Sequence, residues 1–373
     1  MSFAENTIAV YHLIEQGFTN HCYNNIHCIK NYKSKVFYDQ EYNDFLSCST
    51  KFKFAFFEIT YLANPPRSDK WLEIFHNVYP IVDKCFIFVG DLEPNAIARI
   101  QSLDLPNVVF FMPGEINNYS MKVAKKYFWN NYMSEVINLY LKLFPNDLTN
   151  KLNLPVENKK NFDILLGQKK ENKNLIYNIL KEKDLFQCNY VTYFQAWEDN
   201  IKLFDNLTFH DTDINYSQGS GMVDYKGHNI HLSSVIPTEV YNITNYTLIV
   251  ETYCSNDFTF FTEKIIKPIL AKRLFVVCAG QNYLTNLKNL GFKTFDGIID
   301  ESYDSEPDLS KRFLLALEQL EKLCTRDFEE IMLLANNILE HNAAIAESLC
   351  GCYIYDLARE ISKIVNVVDT TAD

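Results

Sequence analysis

The chain has 373 residues, beyond the size at which one hydrophobic core usually stops growing, so two domains are the expectation. Hydrophobic residues make up 47%, with 28 Phe and 23 Tyr against 11 Gly and 11 Pro, which excludes collagenous, low-complexity and disordered classes. A formal charge of −12 disfavours non-specific binding to nucleic acid or to anionic membranes, both of which need clustered Lys and Arg.

Residues 1–10 lack a basic region followed by a long apolar run, and no stretch approaches the roughly 18 apolar residues of a membrane span. A soluble, cytoplasmic protein is expected. The ten cysteines are scattered through apolar segments and read as buried small hydrophobes of a reducing compartment. Zinc is the sharper alternative, because His21, Cys22, His27 and Cys28 cluster and Cys350 and Cys352 form a CxC. Neither has the CxxC spacing of a structural site, so no metal is expected.

In chain order, short apolar runs at 7–12, 54–59, 85–89 and 108–112 read as strands, with helical spacing over 71–82 between two of them. This βαβ pattern implies a parallel sheet. Phe128, Tyr132, Val136, Leu139 and Leu143 predict one long amphipathic helix over 121–144, followed by an Asn-rich polar linker at 145–161. The pattern then restarts: strand 162–167, helix 173–182, strand 188–194, strand 246–252, helix 262–271 and strand 274–280. Helix 310–346 follows, with a break near Thr325. The expected organisation is an α/β domain at 1–150, a second at 161–350 and a C-terminal helix and tail at 351–373, with a cleft between the two domains.

The most informative segment is 248–280. A buried strand delivers Glu251 to its C-terminal end, a polar and aromatic loop follows, and Thr262 opens a helix whose first turn holds Glu263 and Lys264. Ligands of open α/β sheets bind outside such strand ends. A helix N-terminus suits phosphate, Lys264 and Lys267 add charge, and a carboxylate such as Glu251 or Glu263 can accept from a ribose diol. The bland alternative is that Thr262 and Glu263 simply make a good helix start.

Val250-Glu251-Thr252, with Asp257 and Thr262-Glu263-Lys264, resembles the donor-binding motif of glycosyltransferase family 10, the fucosyltransferases. Exostosin-like enzymes share the general arrangement. The chain has Thr252-Tyr253 where that family has Asn-Ser, and Pro268 falls inside the helix. The resemblance implies a GT-B fold of two Rossmann-like domains and a nucleotide-sugar donor bound without metal. Gly167, Lys169 and Lys170 match the turn and basic helix start that open the donor domain of many GT-B proteins, and Asn172 and Lys173 stand where relatives often carry His-Arg. The segment 289–304 is similar to the end of such a domain, its acidic residues reading alternatively as N-caps and turn formers. Asp211-Thr212-Asp213 resembles the metal-binding DxD of the other glycosyltransferase fold but lacks its preceding strand.

The expected function is transfer of a sugar from a nucleotide-sugar to a hydroxyl of a glycan, protein or small-molecule acceptor. A carboxylate of the first half would act as base, from Glu58, Asp91 and Glu115 at or after strand ends. A nucleotide-sugar epimerase, a non-catalytic nucleotide- or sugar-binding protein and a pure interaction protein are the rivals.

Overall fold

In the computed structural model the chain is described at residues 22–23, 26–31, 52–59, 75–76, 79–90, 92, 94–117, 119–128, 130–152, 159–168, 170–194, 214–215, 222–349 and 361; before residue 60 and at 214–215 the description is of the backbone. These residues are mixed α/β and fall into two compact units, Met1–Asn131 with Gly351–Asp373, and Tyr132–Cys350.

The first unit holds a six-stranded sheet of β1 (Cys22–Tyr23), β2 (Ile26–Asn31), β3 (Phe52–Ile59), β4 (Lys84–Val89), β5 (Val108–Met112) and, beyond the short β6 (Gly114–Ile116), β7 (Lys125–Phe128). All pairings are parallel except β1 with β2. Cys85 to Val89 and all of β5 are buried, the apolar runs typical of strands covered on both faces. Helix α1 (Pro94–Ser102) returns the chain from β4 to β5. Spatial order follows chain order, so the winding of this sheet never reverses.

The second unit begins with α2 (Asn131–Asn138), a π-helical turn at Leu139–Leu143 and α3 (Asp147–Lys151). Strand β8 (Lys160–Gln168), α4 (Glu171–Glu182) and β9 (Tyr190–Phe194) form one βαβ unit. A small antiparallel sheet of β10 (Ile214–Asn215), β11 (Met222–Tyr225) and β12 (His228–His231) follows. Then come α5 (Thr238–Ile243), β13 (Thr244–Val250), the short β14 (Phe258–Phe260), α6 (Glu263–Leu270) and β15 (Phe275–Cys278). The chain continues through α7 (Tyr283–Asn289), α8 (Leu309–Cys324) and α9 (Phe328–Leu349). The main sheet has the order β15-β13-β8-β9 and is parallel throughout. The chain therefore winds from β8 to one side and from β13 to the other, and the winding reverses between those two strands.

A buried clamp pins the N-terminal ends of this sheet. Arg273 donates to Asp163 on β8 (3.0 Å) and to Thr244 (3.0 Å) and Thr247 (3.1 Å) on β13. Asp163 is fully buried, and burial pushes its carboxyl up against the opposing pull of Arg273. The C-terminal ends of β8 and β13 carry the candidate site.

The expected helix over 121–144 is instead β7 followed by α2 and the π turn. Parallel pairing of Lys125–Phe128 with β5 outweighs helical periodicity there. The expected linker at 145–161 contains α3 and the start of β8. Asp147 is buried and accepts from Tyr225 (2.7 Å) and pairs with Lys226, and Lys151 O accepts from Asn242 (2.6 Å). Those bonds tie 132–152 to the second unit, so the units part at Asn131/Tyr132 and not near residue 150, and residues 351–373 group with the first unit.

The hairpin of β11 and β12 has no counterpart in the periodicity reading. Its turn, Lys226-Gly227, has both residues at positive φ (53° and 83°), the geometry of a two-residue hairpin. Helix 71–82 is seen only as helical Phe75 and His76 and a 3-10 turn at Tyr79–Ile81. The strand expected at 7–12 lies outside the described residues, as do Asp211, Asp213, Cys350, Cys352, His21 and the side chains of Cys22, His27 and Cys28. Cys85 and Cys278 are buried free thiols as expected, whereas Cys188 is exposed. Among the described residues no helix is long and apolar enough to cross a membrane.

Candidate functional site

The site grows from two adjacent strand ends. On β8 the register against β9 shifts between Leu166 and Gln168, placing Gly167 at an irregularity in the ladder. Lys173 Nζ lies against this strand end, 3.3 Å from where a Cβ on Gly167 would be. Helix α4 starts from Lys170 as N-cap, with no side-chain capping bond, and Asn172 and Lys173 lie buried in its first turn. Its leading N–H groups thus lack the usual side-chain acceptor. Asn172 Nδ2 donates to Glu251 O (2.8 Å), stitching this helix start to the end of β13.

On β13, Glu251 follows the last strand residue and is fully buried. A carboxylate can only accept, and three donors meet it: Thr262 Oγ1 (2.6 Å), Tyr283 OH (2.7 Å) and Thr252 N (3.3 Å). Thr262 is the N-cap of α6 and accepts from Lys264 N (3.3 Å). Lys264 Nζ reaches Glu263 (2.6 Å), Thr252 Oγ1 (3.1 Å) and Thr262 Oγ1 (3.3 Å). Helix α6 continues through Pro268 to Leu270, so this proline does not end it.

Electrostatics separate the lysines. Lys264 is bound into the network: burial works against its charge, but Glu263 and Glu251 outweigh it and its pKa is raised. For Glu263, Lys264 and Lys267 outweigh burial and lower its pKa. Burial pushes Glu251 up, against the pull of Lys264, Thr262 and Tyr283. Lys173, 5% exposed, makes no hydrogen bond or ion pair with its ammonium among the described residues. Burial first, then the charges of Lys264 and Lys170, bring it down to about 8. Half-buried Lys267 is likewise brought to about 8, by burial and then Lys264 against the opposing Glu263 and Glu135. Lys170 Nζ sits 4.0 Å from the ring centroid of Tyr253. Among the described residues, four lysines (Lys170, Lys173, Lys264 and Lys267) gather here with Glu251 and Glu263, and Glu135 also acts on Lys267.

The fold thus brings Gly167, Lys170, Glu251, Thr262, Glu263, Lys264 and Lys267 to one sheet end; Lys169 lies outside the described residues. Glu251 differs from its expected part, since its oxygens face inward to Thr262 and Tyr283 and present nothing to a ribose. Asp257 is exposed, and its carboxylate accepts from Ser255 (3.2 Å). Of the candidate bases, Glu58 is the penultimate residue of β3, in register with Phe88, with its side chain outside the described residues. Asp91 also lies outside them. Glu115 on β6 is ion-paired with Lys126 on β7. Two acidic residues of 289–304 act as caps: Asp304 accepts from Leu284 N (2.9 Å) and Thr285 N (3.1 Å) at the start of α7, and Asp300 from Ser302 N (2.9 Å). Tyr283 was not legible as a site residue, because it lies 32 positions beyond Glu251 with no motif around it.

No protein-family model matches the chain, and no match was found among curated proteins. A glycosyltransferase from Rickettsia africae ESF-5 is similar in structure at 13% identity and a TM-score of 0.40, over 97% of this chain and 94% of that one. An alpha,alpha-trehalose 6-phosphate synthase from Burkholderia multivorans is similar at 11% identity and a TM-score of 0.40, over 99% of this chain and 81% of that one. At that level of likeness the chemistry is decided by the chain's own residues.

Proposed function

We propose that the chain is a glycosyltransferase of GT-B type that binds a nucleotide-diphosphate sugar at the reversal point of the second sheet. The observation that carries this reading is Lys173, a buried ammonium without an anionic partner among the described residues, in the first turn of a helix lacking a side-chain cap. Such a charge is costly unless an anion joins it. The crevice outside the strand ends at a reversal point is where open α/β sheets take ligands. The lysines gathered at this sheet end, with the helix start of α4, supply the positive charge that would hold a diphosphate in place of a divalent ion.

Lys173, the start of α4 and Lys267 receive the phosphates, and Lys264 keeps the start of α6 in place. As the acceptor hydroxyl attacks the anomeric carbon, the bond to the diphosphate oxygen breaks, and the same cations stabilise the charge growing on that oxygen. The acceptor proton goes to a carboxylate of the first unit, Glu58 being the first choice, with Asp91 and Glu115 next.

The test is a thermal-shift and calorimetric panel of UDP-, GDP-, CMP- and dTDP-sugars in the presence of EDTA. At least one diphosphate sugar should bind, and Lys173→Ala should weaken it by about tenfold or more, the effect of losing one charge-assisted contact. Absence of binding across the panel, or binding only with a divalent ion, overturns the reading. Product analysis with the bound donor then separates a transferase from an epimerase.

A further inference from the structure

We infer that Tyr283, supplied by the helix after β15, is a positioning residue that keeps the Glu251 carboxylate ionised and so holds Thr262 and Lys264 in the geometry that receives a diphosphate. The inference rests on the donor-site reading above.

The chain of contacts is continuous. Asp304 caps α7 through Leu284 N and Thr285 N and also accepts from Thr285 Oγ1 (3.3 Å), which seats the first helical residue, Tyr283. That side chain is 1% exposed, its ring 5.0 Å from that of Phe261, and its OH donates to Glu251 Oε1 at 2.7 Å. Oε2 of the same carboxylate takes the hydroxyl hydrogen of Thr262 at 2.6 Å. Because Thr262 spends its only hydrogen on Glu251, its lone pairs are left for Lys264 N and Nζ.

A protonated Glu251 reverses this. Its own O–H needs an acceptor, and the nearest oxygens are those of Thr262 and Tyr283. Thr262 would then accept from the carboxyl and compete with Lys264 for the same lone pairs. An ionised carboxylate with no solvent contact is held by its donors, and Tyr283 supplies one of the two short bonds. The groups facing Glu251 are Tyr283 on α7, Thr262, Glu263 and Lys264 on or capping α6, Lys173 on α4 and Cys254 in the loop after β13. Tyr283 is the one whose hydroxyl can be removed while its ring stays.

The experiment measures affinity of the full chain for UDP-glucose and GDP-mannose, whose esterified phosphates do not titrate in this range, by calorimetry across acid to neutral pH. It uses the wild type, Tyr283→Phe, Glu251→Gln, the double variant and Lys173→Ala. Tyr283→Phe should move the acid-side loss of affinity upward by about one pH unit, because the hydrogen bond it lacks favours the ionised carboxylate. Glu251→Gln should bind about tenfold more weakly than the wild type at neutral pH, with no acid limb. The double variant should match Glu251→Gln, since Tyr283 acts through that carboxylate. An unmoved limb in Tyr283→Phe, or additive losses in the double variant, overturns the positioning role while leaving the donor site standing if Lys173→Ala still loses binding. Absence of binding in the wild type overturns both. If Tyr283→Phe does not fold, a persistent acid limb in Glu251→Gln overturns the inference.

Discussion

At the scale of single residues, the proposed donor site predicts an upper pH limit of binding set by Lys173 and Lys267. Lys173 and Lys267 sit at about 8, well below an ordinary lysine, so the ligand-free site is partly neutral at slightly alkaline pH. A bound anion favours the ammonium form, and binding above that pH must therefore take up a proton. Affinity for a nucleotide-sugar, whose esterified phosphates do not titrate here, should be full at neutral pH and fall as pH rises. The fall approaches tenfold per pH unit for each lysine involved. Calorimetry in buffers of different ionisation enthalpy should show the proton uptake directly; a flat affinity up to about pH 9 would contradict the assignment of Lys173 as a phosphate ligand.

At the scale of elements, the loop between β13 and α6 is shaped by β15. A Cβ on Gly280, just past β15, would lie 2.2 Å from Ser255 O and 3.1 Å from Phe258 O, both backbone atoms that cannot rotate away. Gly280→Ala must therefore push the segment 255–258 outward, at a cost of about 1–3 kcal/mol in stability. Because that loop joins Glu251 to Thr262, donor affinity should fall with the melting temperature. Calorimetry and thermal melts check both, and an unchanged affinity would show that the loop is not part of the site. The same dependence on neighbours explains β7: Lys125–Phe128 carries a usable helical pattern, and only the open edge of β5 makes it a strand.

At the scale of the whole molecule, the second unit has its own parallel sheet and buried core and contains every residue of the proposed donor site described above. A fragment of residues 132–350 should melt cooperatively and bind nucleotide-sugar close to full-length affinity, yet turn over no acceptor. One starting at 161 should fold poorly, because it lacks Tyr140 and Asp147, whose bonds to Ile236 N and Tyr225 OH are internal to the unit. In the full chain, Glu58→Gln should lower turnover by about a hundredfold and leave donor affinity nearly unchanged, since a general base acts in the transition state. Full turnover in that variant passes the role to Asp91 or Glu115, and full turnover in all three removes the proposed base.

The sequence by itself determined the elements whose causes are local. Buried apolar runs made β4, β5, β8, β13 and β15 legible, and Thr262 ahead of Glu263 marked the start of α6, because burial of a strand and capping of a helix are written in adjacent residues. The segment 248–280 was legible as a candidate donor site for the same reason. Only the tertiary structure decided what depends on residues far apart in the chain. The reversal between β8 and β13 brings Lys173 beside Lys264, 91 positions later, and buries it without an ion pair among the described residues. Tyr283 turns Glu251 from an apparent ligand into an internal support, and bonds from Asp147 to Tyr225 and Lys226 draw an apparent linker into the second unit. These are differences in desolvation and pairing, and neither quantity exists until the strands are stacked.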